Sequence, residues 1–173
     1  ACFGGGVDWG GSTGTNLFVN NTIADNEGFL AWPGMHVSGF DARNELHNNI
    51  ITARTGPALY CENAATLFSP TLTSNDIFSG EGAAYGGTCA DQTGLNGNIS
   101  MDPVFLGAAN RDYRVAMTPP VVDAGNDGAP GLPSTDLAGF ARVFDGNGDG
   151  VARDDMGALE SRNRAPVVNA GAD

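Results

Sequence analysis

Along this chain an apolar residue, an asparagine three positions on, an isoleucine two beyond that and a glycine five further recur without gaps. The block runs from Phe18 to Gly28, from Leu46 to Gly56 and from Leu72 to Gly82. Four columns align: Phe18/Leu46/Leu72, Asn21/Asn49/Asn75, Ile23/Ile51/Ile77 and Gly28/Gly56/Gly82, with steps of 28 and then 26 residues. A period of this length predicts a solenoid whose units stack and share one core. No apolar stripe at helical spacing is present, and Gly, Asn, Thr, Ser and Asp punctuate short apolar runs, so the units are short strands joined by turns. Stacked strands bring equivalent residues to about 4.8 Å, where asparagine side chains bond to one another as a ladder. The columns place Phe18, Leu46, Leu72, Ile23, Ile51 and Ile77 inside, and Asn21, Asn49 and Asn75 in an internal ladder. A β-sandwich with coincidental repeats is the competing arrangement.

With its Asn-Asn-x-Ile units the chain resembles the right-handed parallel β-helix proteins of the pectin-lyase-like superfamily. Gly97–Phe105, Asp112–Gly125, Thr135–Gly139 and Met156–Glu160 resemble the C-terminal end of bacterial surface β-helix proteins. The resemblance covers about residues 16–160 and implies an all-β, right-handed, single-stranded parallel β-helix. It implies a division into coils over 1–107, a C-terminal capping segment over 108–162 and a linker over 163–173. The last stretch, Arg164–Asp173, resembles the opening strand of a PKD-like module, or is an ordinary linker. The resemblance also implies an extracellular or cell-surface location, and it implies fold better than activity.

The net charge is −12, and none of the eight basic residues is a lysine. Nucleic acid is thereby disfavoured as a partner, because phosphate binding needs a basic face. No apolar run reaches the ~20 residues of a membrane span. The chain opens at Ala1 inside what reads as a coil, so a mature product or a piece of a longer protein is expected.

Cys61 and Cys89 are 28 residues apart, close to one coil, which favours a disulfide between adjacent coils and an oxidising compartment. Two stacked free thiols are the alternative, and Cys2 is left over.

The strongest chemical motif is Asp145–Asp155. Asp145, Asn147 and Asp149 offer oxygens at positions 1, 3 and 5, Gly150 allows the sharp turn, and Val151 offers its carbonyl. This donor set suits Ca2+. Position 12 is Met156, so the loop departs from an EF-hand, and Asp155 is the expected closing ligand. A glycine-rich hairpin without an ion is the plain alternative.

An enzymatic site is harder to read. A uronate lyase needs a base and a cation, and Arg43, Arg54, His36, His47 and Tyr60 are the candidates. Hydrolysis wants two or three carboxylates in one cleft. Asp25, Asp41, Glu45, Glu62 and Asp76 lie in or near the coils, but no two share a column. Each is expected at a solvated outer position, with His47 on the surface. Trp9, Trp32, Phe29, Tyr60 and Tyr85 would stack on sugars if exposed or pack in the core if not. The reading is therefore a non-catalytic module of a secreted or cell-surface protein that binds a polysaccharide or surface or is structural, stabilised by Ca2+. A polysaccharide lyase or glycoside hydrolase is the first alternative, favoured if one cleft holds Arg54 or His47 beside two carboxylates. The second is a fibre subunit that stacks as a homo-oligomer through open coil ends.

Overall fold

In the computed structural model the chain runs through three parallel sheets in turn and then repeats the circuit. The residues described are 6–10, 14–26, 34–38, 43–62, 70–118 and 120–162. The first circuit is β1 (Val7–Gly10), β2 (Asn16–Val19) and β3 (Thr22–Ile23). The second is β4 (Met35–Ser38), β5 (Asn44–His47) and β6 (Ile50–Ala53). The third is β7 (Leu59–Glu62), β8 (Thr71–Thr73) and β9 (Asp76–Ser79). A fourth begins with β10 (Tyr85–Gly87) and closes where Ile99 bridges to Asp76. The sheets are β1-β4-β7-β10, β2-β5-β8 and β3-β6-β9, with every pairing parallel. This architecture is compatible with a β-helix solenoid.

The expected apolar and asparagine columns are the observed register, while Gly28 of the glycine column lies outside the described residues. Phe18 pairs with Leu46 and Leu46 with Leu72, while Ile23, Ile51 and Ile77 align in the third sheet. The first sheet adds Val7–Met35–Leu59–Tyr85 and Trp9–Val37–Cys61. These residues form one core, with Phe18, Val7 and Trp9 partly buried against it at the first circuit.

At the corner between the second and third sheets the chain turns through a left-handed residue. Asn20, Asn48, Ser74 and Asn96 have φ of 52°, 54°, 52° and 50°. Asparagine enters this region more readily than most residues because its short side chain bonds locally. The ladder follows the turn. The Asn49 Oδ1 accepts from the Asn21 backbone amide (2.9 Å) and Nδ2 (3.1 Å). Asn75 does the same for Asn49 at 3.0 and 2.8 Å. Asn98 does it for Asn75 at 2.9 and 3.0 Å. The ladder thus has a fourth rung, Asn98, which the 28- and 26-residue steps leave out because the last step is 23 residues.

Pro103, without an amide hydrogen, follows the last bridge. Residues 105–107, expected among the coils, instead form β11 (Phe105–Gly107). It pairs antiparallel with β12 (Asp112–Val115). The C-terminal segment then covers the outside of the third sheet. Outward-facing Ile50 joins Val115, Val121, Val122 and Met156 in a second core, with Ile99 and Phe105 against it. Two of the asparagines at the left-handed corners, Asn20 and Asn48, point outward and fasten this layer. Asn20 and Asn48 donate from Nδ2 to Asp154 Oδ2 at 2.8 and 2.7 Å. The Gly157 amide donates to Asn48 O at 2.7 Å. Gly157 has φ +94°, and a Cβ there would stand 2.7 Å from both Ile50 Cδ1 and Thr22 Oγ1, so the layer lies too close for any side chain.

This layer overturns two expectations of exposure. His47 is buried, its Nε2 2.8 Å from Glu45 Oε2. The chain at Gly131 lies over Leu17 and Val19, the latter paired with His47. Asp76, expected in solvent, is fully buried beside Ile50, with Oδ1 accepting from the Met101 amide at 3.1 Å. Burial raises its carboxyl to about 7, partly opposed by the Met101 hydrogen bond. Its Oδ2 has no partner among the described residues.

Candidate functional site

A cleft of about 490 Å3 opens where the third sheet ends against the loop that leaves the last circuit. Arg54 lines it together with Asp25, Glu81 and Asp102, and Thr52 and Phe78, paired across β6 and β9, form its floor. Pro103, Val104 and Phe105 form the opposite wall. Asp25, Arg54 and Glu81 come from three successive circuits, each just past the end of its third-sheet strand. They share no column, since Asp25 is level with Ala53 and Ser79 by the register of Ile23, Ile51 and Ile77. One or two residues of offset still leave them in the same groove. Asp102 arrives from the covering loop and was not among the sequence candidates. Its only sequence signal is the Asp-Pro step beside the end of the repeat. Asp76 supports this wall through its bond to the Met101 amide.

The other candidates are dispersed. Arg43 is exposed just before β5 and does not line the cleft. His36, also expected in solvent, lies on the outer face of the first sheet but is buried between neighbouring circuits, Nδ1 2.9 Å from Asp8 Oδ1 and Nε2 3.3 Å from Glu62 Oε2. The Tyr60 ring is 5.9 Å from the His36 ring. Tyr85 faces the core and is buried, and burial raises its hydroxyl above the ordinary range. Trp9 packs on the core with its ring 5.7 Å from that of Phe18. Cys2, Phe29, Trp32 and Asp41 lie outside the described residues.

Cys61 and Cys89 form a disulfide, Cα atoms 5.0 Å apart. It joins the third circuit to the chain after β10 and fits an oxidising compartment.

The loop at 145–151 is shaped by its own side chains. The two oxygens of Asp145 accept from the amides of Gly148 (2.7 Å), Asp149 (3.1 Å) and Gly150 (2.9 Å). Asn147 Oδ1 and Asp149 Oδ1 accept from the Asp149 and Val151 amides, both at 2.8 Å. Asn147, Asp149 and Val151 are exposed. Hard oxygens at alternate positions on a tight glycine turn suit Ca2+ in kind, with water completing the 6–8 donors it takes. Asp155 does not close this loop as expected. It is fully buried, its Oδ1 accepting from the Asp123 amide (2.7 Å) and its Oδ2 from the Ser161 amide. The physical reason is that Asp155 belongs to the inner layer. There, Asp154 and Glu160 share the guanidinium of buried Arg142 at 3.5 and 3.0 Å. Asp123 supports the loop instead, accepting from the Gly146 and Asn147 amides at 3.3 and 2.9 Å. With Asp155 elsewhere, the described residues contain no group of three or more His, Cys, Asp or Glu placed to hold a metal.

Compared with protein-family models, curated proteins and solved structures, the chain matches none. Among the described residues no helix is long and apolar enough to cross a membrane.

Proposed function

We propose that this chain is the C-terminal part of a right-handed parallel β-helix module of a secreted or cell-surface bacterial protein. The module is non-catalytic and binds a polysaccharide in the cleft at Arg54. The observation that carries this is the cleft itself, where an arginine and three carboxylates surround the half-buried ring of Phe78. Aromatic rings pack on the C–H faces of sugars, and charged side chains at a rim bond to hydroxyls. Its volume lies within the usual 300–1,000 Å3 of small-ligand sites. Ca2+ at Asp145, Asn147, Asp149 and the Val151 carbonyl stabilises the C-terminal layer without taking part in recognition.

The test is affinity electrophoresis of the purified chain through gels containing a panel of soluble polysaccharides. Retardation by at least one polymer, relieved by Phe78→Ala and by Arg54→Ala, supports the reading. Unchanged mobility in every gel sinks it.

The same cleft favours one alternative, a glycoside hydrolase or lyase, because it does hold Arg54 beside more than two carboxylates. Two carboxyls flanking a glycosidic bond suffice for hydrolysis. New reducing or unsaturated ends formed from a retarding polymer, and lost in Glu81→Gln or Asp102→Asn, would replace the binding reading with the enzymatic one.

A further inference from the structure

A second cleft of about 530 Å3 lies between the β11–β12 hairpin and the C-terminal loops. Nothing in the reading above uses it. Its apolar surface is unusually open for so small a layer, with Phe140 42% and Leu106 57% exposed. Arg162 is set into it with its guanidinium over two rings, 4.0 Å from the centre of Phe140 and 4.7 Å from that of Phe144. Two aromatic faces fix the cation in one place, so little freedom remains to be lost on binding.

Arg162 Nε is buried and has no hydrogen-bond partner among the described residues. Buried donors are nearly always paired, so this guanidinium keeps bonding capacity that no described protein group uses. Arg114 stands at the same cleft, 66% exposed, held by Asp112 through its Nε and one Nη (2.8 and 2.6 Å). Its remaining donors are unspent in that pairing.

The two acids that also line the cleft are bonded within the protein, except for Glu160 Oε2, which is buried without a partner among the described residues. Asp136 accepts from the amides of Ala138, Phe140 and Glu160 at 2.9, 2.8 and 3.0 Å. Glu160 is turned toward Arg142 and the Asp155 amide. Burial, with the Asp155 charge next, raises the Glu160 carboxyl to about 8. A chain of net charge −12 thus gathers two of its eight arginines at one apolar opening.

We propose that this cleft is a binding site for a small amphipathic carboxylate, an apolar body of about one ring carrying a single acid group. The ring lies against Phe140 and Leu106, and the carboxylate accepts from the Arg162 guanidinium, with Arg114 as the second donor. Charge-assisted bonds of this kind are about twice as strong as neutral ones, so the acid group decides the selectivity.

The test is an NMR titration of the 15N-labelled chain with 3-phenylpropionate, 3-phenylpropanol and 3-phenylpropylamine, which share one body and differ in charge. The acid should give saturable shifts at the Arg162 Nε–H and the Phe140 amide, with a Kd on the order of 1 mM. The alcohol and the amine should bind at least roughly tenfold more weakly. Arg162→Gln should show the same loss for the acid. Because Arg162 also holds the two rings, Arg114→Gln, at an exposed position, is the second variant. It should weaken the acid about threefold with an otherwise unchanged spectrum. Arg54→Ala, at the other cleft, should leave the acid's affinity alone. Equal binding of the three probes overturns the proposal. So does the absence of saturable shifts, or a folded Arg162→Gln with full affinity.

Discussion

Asn75 Oδ1 accepts hydrogen bonds from both the backbone nitrogen and Nδ2 of Asn49, 26 residues earlier and one circuit away. Asn75 Nδ2 donates in turn to Leu46 O at 2.8 Å and to Asn98 Oδ1 at 3.0 Å. Each asparagine is therefore a covalent part of one circuit and a hydrogen-bond partner of the next.

Replacing Asn75 by Ala removes the acceptor of the Asn49 backbone amide and of one Nδ2 hydrogen in a fully buried corner, while Nδ2 keeps its bond to Phe18 O. The cost is roughly 1–3 kcal/mol for each group left without a partner. Urea unfolding followed by circular dichroism measures it, and a loss below about 0.5 kcal/mol would show that the ladder contributes nothing.

The disulfide closes a loop of 28 residues between Cys61 and Cys89. On the chain-entropy account a loop of this size adds about 3.6 kcal/mol. Dithiothreitol should lower the melting temperature of the parent chain and leave that of a Cys61→Ala/Cys89→Ala double variant unmoved. An identical response of the two would place the reductant's effect elsewhere.

Stability should fall as the pH rises. Burial lifts Asp76 and Asp155 to about 7 and Glu160 to about 8, from 3.8, 3.8 and 4.5. Their folded forms hold protons that the unfolded chain releases near pH 4. Between pH 4 and 8 the native state therefore binds more protons, and each step upward favours unfolding. The window opens at the unfolded values and closes above pH 8, where both states are ionised. Melting temperatures recorded from pH 5 to 9 should decline, and Asp76→Asn should flatten part of the decline. A curve that rises over this range refutes the assignment.

Ca2+ should raise the melting temperature by mass action on the folded state. Asp149 is exposed, and among the described residues its carboxylate accepts from the Val151 amide and the Asn147 side chain within the same loop, so Asp149→Ala should spare the fold and remove the difference between calcium and chelator. Asp155→Asn should instead destabilise the chain with or without the ion, because its carboxyl serves the Asp123 and Ser161 amides. A melting temperature indifferent to Ca2+ would leave the loop as a plain hairpin.

The repeat is legible in the amino-acid sequence because stacking demands it. A circuit in register with its neighbour must present the same kind of residue at the same place, so Leu46, Asn49 and Ile51 recur as Leu72, Asn75 and Ile77. The spacing of Cys61 and Cys89 is close to one circuit and favours a disulfide, but the residue in register with Cys61 is Gly87, so the bond itself rests on the turn that follows β10. The C-terminal layer has no such constraint, since it meets the stacked circuits once. The pattern along the chain therefore could not say that Asp154 would take the side chains of Asn20 and Asn48, more than 100 residues away. Nor could it say that His47 and Asp76, at outward positions, would be covered, or that Asp155 would turn inward from the loop it follows. The grouping of Asp25, Arg54, Glu81 and Asp102 has the same origin. Periodicity decides which face of a strand a side chain takes, and only the packing of one non-repeating segment on that face decides whether it meets water, a partner or a cleft.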